Sequence, residues 1–170
     1  KIKFIIIGSG NIVKTYLTAI RNLENAEVVG IVSRKANKPA NLSHLPFYQS
    51  LHGIDLDFDA VIVCTPNGTH HVSTIEAASL GKHVLCEKPL ASTAAGMDVM
   101  LAAHQERPDL IFSGVFQHRF DKVYRYVRHL VQQGAFGTLL NATLQVQCLR
   151  TPAYYESDAW RGTWEEEGGS

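Results

Sequence analysis

The stretch that decides the fold is residues 1–20, "KIKFIIIGSGNIVKTYLTAI". The run Phe4 to Ile7 is aromatic or β-branched throughout, which suits a strand buried on both faces better than an element with one wet side. Strands of that kind belong to parallel sheets. The run breaks at Gly8-Ser9-Gly10, after which Ile12, Val13, Tyr16, Leu17 and Ile20 recur at helical intervals. Strand, glycine turn and helix thus follow one another directly.

The turn is where chemistry can sit. A helix that starts there aims unpaired N–H groups and its positive dipole end above the strand tip, and glycines let a phosphate approach the backbone. Gly8 and Gly10 fill the first two places of the dinucleotide-binding pattern G-x-G-x-x-G, whereas Val13 holds the third, where a small residue usually permits close packing of helix on strand. Local repacking around Val13 is expected. Gly8, Ser9, Gly10, Asn11 and Ile12 are the first candidate cofactor-binding residues.

The rest of the chain repeats the pattern. Strands are predicted at Ala26–Ser33, Asp59–Pro66, Lys82–Lys88 and Leu110–Phe116, with a weaker one at Phe47–Tyr48, and helices at Asn11–Asn25, His70–Leu80 and Thr93–Arg107. Alternation of this kind marks an α/β fold, a doubly wound parallel sheet of the Rossmann type, over residues 1–117. Gly81 reads as the C′ residue of one helix, and Ser92 or Thr93 as the cap of the next. Residues 34–46 read as a loop or a short broken helix. Beyond Phe116, Val123, Tyr126, Val127, Leu130 and Val131 form a helical stripe ended by Gly134, and residues 138–149 partly alternate like a strand with one covered face. Residues 118–170 are therefore expected to begin an incomplete α+β second domain, with a sheet edge at 138–149 open to pairing. The tail from Arg150 shows no clear period.

Composition narrows the function. The chain of 170 residues has room for one good core plus the start of another. Sixteen Lys+Arg balance 16 Asp+Glu, which argues against nucleic acid or an anionic membrane as a partner. The early apolar run is too short for a signal segment or a membrane span, so a cytoplasmic protein is expected. Cys64, Cys86 and Cys148 lie in apolar, strand-like segments without metal-ligand spacing, and are read as buried thiols with no metal site.

Ligands of open α/β sheets gather at the carboxyl ends of the strands. The residues there are Gly8-Ser9-Gly10, Ser33-Arg34-Lys35, Thr65-Pro66-Asn67, Glu87-Lys88-Pro89 and Gln117-His118-Arg119. Most can bind phosphate, ribose or a polar ring. An acidic residue after the second strand would bind the adenosine ribose and repel a 2′-phosphate; Ser33 and Arg34 stand there instead, which leans towards NADP over NAD. The competing reading is a solvated basic turn at Arg34 and Lys35.

With "GSGNIVKTYLTAI", "CTPNGTHH" (residues 64–71), "CEKPLASTAAG" (residues 86–96), "QHRF" and "AWRGTWEEEGG" in this order, the chain resembles the glucose-fructose oxidoreductase, inositol dehydrogenase and MocA (Gfo/Idh/MocA) family of NAD(P)-dependent oxidoreductases. The resemblance implies a catalytic Lys88 beside the nicotinamide and the substrate oxygen, where an ammonium stabilises developing negative charge. It also implies that Thr65, Pro66 and Asn67 line the cofactor cleft, that Glu87 bonds near the nicotinamide ribose or fixes Lys88, and that Gln117 approaches the carboxamide. Trp160 and Arg161 would close over the site. His70 is either a cofactor-site residue or a histidine that packs or caps at its helix start, and Trp160 and Trp164 are either ligand-facing or hydrophobic anchors. His104, His118 and His129 read as ordinary surface or helix histidines.

In the family the final glycines lead on to a segment with an acid/base histidine, and the chain ends at Ser170. A fragment of a longer enzyme, homo-oligomeric at full length and acting on a sugar-like small molecule, is the expectation. A non-catalytic dinucleotide-sensing relative, or an inactive fragment, is the rival.

Overall fold

A computed structural model describes residues 1–34 and 39–167, with nothing assigned to the side chain of Asn41. Six strands pair in parallel: β1 (Ile2–Ile7), β2 (Ala26–Val32), β3 (Phe47–Tyr48), β4 (Ala60–Val63), β5 (His83–Cys86) and β6 (Phe112–Gly114). Their order across the sheet is β3-β2-β1-β4-β5-β6. Because β1 is central and the chain runs outward from it in both directions, the order reverses between β1 and β4, which makes the crevice above their tips. The expected doubly wound Rossmann sheet is present.

Both faces of β1 are covered, as its unbroken apolar run requires. Ile5 and Ile7 pack with Val61, Val63, Val84, Ala77 of α2 (His70–Ser79) and Met100 of α3 (Ala94–Glu106). Ile6 faces the other way, into Ile31, Ile62, Leu42 and the Val13 and Ile20 of α1 (Val13–Arg21). Ile5 and Ile6 are both fully buried. At the third motif position, Val13 is itself 1% exposed, so the volume expected to force repacking is absorbed into this second cluster.

Local signals hold at the element ends. Gly81 takes a φ of +72° after α2. Of the two cap candidates it is Thr93 that acts, its Oγ1 accepting the Gly96 N–H at 3.0 Å. Strands and helices are shorter by one to four residues at some ends than the sequence suggests, and the trimmed residues belong to the loops. Within the loop expected at residues 34–46, the described part contains a short 3-10 turn, Ala40–Leu42. Lys35, Gly168 and Gly169 lie outside the described residues.

Chain contacts divide the molecule into two compact units, Lys1–Val115 together with the chain from Trp160 on, and Phe116–Ala159. In the second unit α4 (Lys122–Gln132) carries the expected stripe and ends towards Gly134, whose φ is +69°. The strand expected at residues 138–149 does not form: no strand is assigned there among the described residues, and Leu140, Leu144 and Leu149 are exposed. Alternation without a neighbouring strand supplies no ladder to hold it. The tail, which shows no period, contains two helices too short to display one, α5 (Pro152–Glu156) and α6 (Trp164–Glu167). No helix among the described residues is long and apolar enough to cross a membrane.

The missing strand also corrects one thiol. Cys64 and Cys86 are buried, whereas Cys148 is exposed. Burial pushes the Cys64 thiol up, and pushes that of Cys86 up to about 12, so both are held as unreactive thiols at neutral pH. Labelling of the native chain with a disulfide reagent is expected to modify Cys148 alone, with Cys64 and Cys86 reacting only after denaturation; mass spectrometry of the labelled peptides reads the outcome.

Candidate functional site

The strand ends are level. Register pairs Ile7 with Val32 and with Val63, Val63 with Cys86, and Cys86 with Gly114. The next residue of four strands makes one further bond across the sheet: the N–H of Gly8 donates to Val32 O at 2.7 Å, Cys64 to Ile7 O at 2.7 Å, Glu87 to Val63 O at 3.0 Å and Val115 to Cys86 O at 2.9 Å. Every loop of the site therefore leaves from one line.

The glycine turn is pressed onto β4. Gly8 has a φ of +120°, and a Cβ there would lie 2.3 Å from the Cys64 carbonyl oxygen, so only glycine fits. A Cβ on Gly10 would meet nothing within 4 Å. One glycine thus seats the loop and the other leaves open space above it. Ile12 stands at the N-cap position of α1 with no side-chain cap bond, and Asn11 and Ile12 are exposed beside that space.

Side chains cross-link the loops. Ser9 Oγ and Ser33 Oγ lie 2.9 Å apart, tying the glycine turn to the end of β2, and Ser33 is buried while Arg34 beyond it is exposed. On the other flank, the Tyr16 hydroxyl of α1 donates to Glu87 Oε1 at 2.6 Å, and the Lys88 N–H donates to Glu87 Oε2 at 3.0 Å. Burial first, and then the bond to Glu87, hold the Tyr16 phenol above its ordinary value of 10.0. The side chain of Lys88 is exposed and has no ion-pair partner among the described residues.

The loop after β4 brings a third set. Thr65 Oγ1 is buried and has no hydrogen-bond partner among the described residues, Pro66 and Asn67 lead into a 3-10 turn over Asn67–Thr69, and the Thr69 hydroxyl donates to Pro66 O at 2.9 Å. His70 follows, 1% exposed, its ring nitrogens 2.6 Å from Pro89 O and 2.8 Å from Thr65 O. The last described segment reaches this turn: a Cβ on Gly68 would lie 2.9 Å from Glu165 O and 3.1 Å from Glu166 Cα, so α6 approaches the turn as closely as backbone allows. Arg161 lies with its guanidinium carbon 4.7 Å from the centroid of the Trp160 ring.

The first unit therefore carries Gly8, Ser9, Gly10, Asn11, Ile12, Ser33, Arg34, Thr65, Pro66, Asn67, His70, Glu87, Lys88, Trp160 and Arg161. Gln117 stands in the second unit, exposed in the turn Gln117–Phe120. Sequence reasoning missed the Ser9–Ser33 and Tyr16–Glu87 bonds, and the two-carbonyl setting of His70. In the sequence Tyr16 reads only as part of the apolar stripe of α1, and a polar tip on such a stripe is the signal that marks it. An open cradle at Gly10, an orphaned hydroxyl at Thr65 and a helix starting above a parallel strand fit a dinucleotide phosphate group.

Comparison with known proteins agrees. The model of the GFO_IDH_MocA oxidoreductase family, with NAD-binding Rossmann fold, matches residues 2–115. The chain is 32% identical over 135 residues to a 4-carboxy-2-hydroxymuconate-6-semialdehyde dehydrogenase of a Sphingobium species, covering 75% of this chain and 42% of that protein. It is 30% identical over 172 residues to a 1,5-anhydro-D-fructose reductase of Ensifer adhaerens, covering 96% and 50%. Among solved structures, the WlbA dehydrogenase of Bordetella pertussis in complex with NADH and UDP-GlcNAcA superposes with a TM-score of 0.89 at 31% identity, over 98% of this chain and 52% of that one. The chain spans about half the length of such relatives or less.

Two substitutions separate seat from space. Gly8→Ala is expected to lower the unfolding free energy by about 3 kcal/mol through strain and collision with Cys64, and Gly10→Ala to change it by no more than about 0.5 kcal/mol; urea unfolding reads both. Tyr16→Phe is expected to cost about 2 kcal/mol at neutral pH. Because the phenol is raised in the folded state, its contribution is complete below pH 10 and declines as pH rises beyond it, so the gap between parent and variant narrows in alkaline unfolding curves.

Proposed function

The chain belongs to the Gfo/Idh/MocA family of oxidoreductases with an NAD-binding Rossmann fold, and from that premise we propose that it acts as an NAD(P)-dependent oxidoreductase on CH–OH groups. Its substrate is a sugar, a sugar derivative or a related polyol. Lys1–Val115 with the chain from Trp160 on make up the dinucleotide-binding part, and Phe116–Ala159 begins a further domain of a protein that is homo-oligomeric at full length. A cytoplasmic setting is part of the same reading.

The observation that carries the proposal is the single line of strand ends, from which Gly8, Ser33, Thr65 and Glu87-Lys88 are all presented. A nicotinamide cofactor held there would supply the hydride chemistry, between its C4 and the carbinol or carbonyl carbon of the substrate. Ser9, Gly10, Asn11 and Ile12 would offer backbone amides to the pyrophosphate, with Gly8, whose own N–H is bonded to Val32 O, seating the turn beneath it. Thr65, with its orphaned hydroxyl, lines the cleft with Pro66 and Asn67. Lys88, anchored through Glu87 to Tyr16, extends its ammonium towards the substrate oxygen, where it stabilises negative charge and guides the proton. Trp160 with Arg161, in the same unit, would cover the nicotinamide ring.

Arg34, exposed just past a serine in place of the ribose-binding carboxylate, favours the 2′-phosphate of NADP over NAD. The sugar reading draws support from the anhydrofructose reductase and from the WlbA dehydrogenase with its NADH and UDP-GlcNAcA.

Calorimetric titration with NADPH and NADH tests this. NADPH is expected to bind more tightly, and Arg34→Ala to erase most of the difference, on the order of tenfold. Lys88→Ala is expected to leave cofactor affinity within about twofold while lowering turnover of any sugar or polyol found active by about 10²–10⁴-fold. Binding of neither cofactor would overturn the reading.

A further inference from the structure

His70, the first residue of α2, sits between two acceptors. Its Nδ1 is 2.6 Å from the carbonyl oxygen of Pro89 and its Nε2 is 2.8 Å from that of Thr65, and the residue is 1% exposed. A neutral imidazole carries one ring proton and would turn a lone pair towards one of these oxygens. The imidazolium donates to both. Its charge is removed from water, and two carbonyl dipoles at hydrogen-bond distance take the place of the lost solvent. The titratable side chains on the segments meeting the ring are His71 beside it on α2, Cys64 before Thr65, and Cys86, Glu87 and Lys88 before Pro89.

The two carbonyls belong to different loops. Thr65 leads out of β4, and Pro89 follows Lys88 in the loop after β5. Proline has no N–H by which its loop could be tethered, so its carbonyl is the available handle. On the near side of Lys88, its own N–H is bonded to Glu87, which Tyr16 holds from α1. On the far side, Pro89 is held from α2 by His70. The backbone of Lys88 is thereby gripped from helices that pack on opposite faces of the sheet.

We propose that His70 is a positioning residue: as an imidazolium it binds the Thr65 and Pro89 carbonyls together, and so fixes the backbone from which Lys88 works. The catalytic meaning of this rests on the role given to Lys88 above; the clamp itself does not require it.

The test uses the 170-residue chain. In the ¹⁵N–¹H spectrum of the isotope-labelled parent at pH 7, the His70 ring signals, assigned through their bonds to the His70 backbone, are expected to show protons on both ring nitrogens. A neutral tautomer would overturn the proposal whether or not any variant folds. Amide hydrogen exchange then separates clamping from packing. His70→Phe keeps a planar ring without donors, and is expected to speed exchange of the Lys88 amide at least tenfold while amides of β1 and β4 keep their rates. His70→Gln, which retains an N–H donor, is expected to recover most of that protection. Unchanged exchange at Lys88, or an equal rise across the sheet, would overturn the positioning role. NADH and NADPH titrations of the same samples report separately on the dinucleotide reading, which can fail while the clamp stands.

Discussion

Everything at the site depends on the contact that Gly8 makes with the Cys64 carbonyl, where not even a methyl group could be admitted. That contact brings the turn after β1 down onto the tip of β4, at the place where the sheet reverses its order. The helix that follows can then start directly over the crevice, with Val13 driven into the core and Ile12 left outside. Were the loop lifted by the width of a side chain, the amides of α1 and the Ser9 hydroxyl would both move away from the ends of β2 and β4. A backbone approach of this kind has no substitute among side-chain interactions, because its partner is a carbonyl fixed in a ladder.

From that seat the site is assembled by a few polar links laid over an apolar platform. The platform is rigid for a simple reason: Ile5 and Ile6 point to opposite clusters, each closed by helices, so the strand can neither rotate nor slip. The links run sideways between loops, Ser9 to Ser33 and Tyr16 to Glu87, and His70 adds a third between the loops of β4 and β5. Each exchanges freedom of a loop for a defined position of a polar group, which is how catalytic groups on loops attain the precision of those on strands. In this chain it leaves Lys88 with a held backbone and an exposed side chain.

Much of this was legible in the sequence, because burial on both faces leaves a signature that one chain displays by itself. The run at Phe4–Ile7 suits a strand covered on both faces better than a one-sided element, the run at Asp59–Pro66 reads as another strand of the same sheet, and Gly8-Ser9-Gly10 marks the turn after the first. What was not legible has two causes. Residues 138–149 alternate, but alternation describes one side of a pairing, and no strand pairs with them among the described residues. The hydrogen bonds of Tyr16, Ser9 and His70 join residues brought together only by the fold; a tyrosine on an apolar stripe or a histidine at a helix start has many possible partners until the topology selects one. The residue types at the site were readable, and their mutual bonds were not.

The close approach at Gly68 has a consequence for the order of events in folding. It joins the turn before α2 to a segment roughly a hundred residues further along, after the whole of the second unit has been traversed. Contacts of such long range carry a large loop-closure cost and are rewarded only once the surfaces they join exist. The sheet and its helices can condense from the first 115 residues, whereas the tail finds its berth afterwards, so the line of strand ends is built early and its neighbour at the turn over Asn67–Thr69 arrives late.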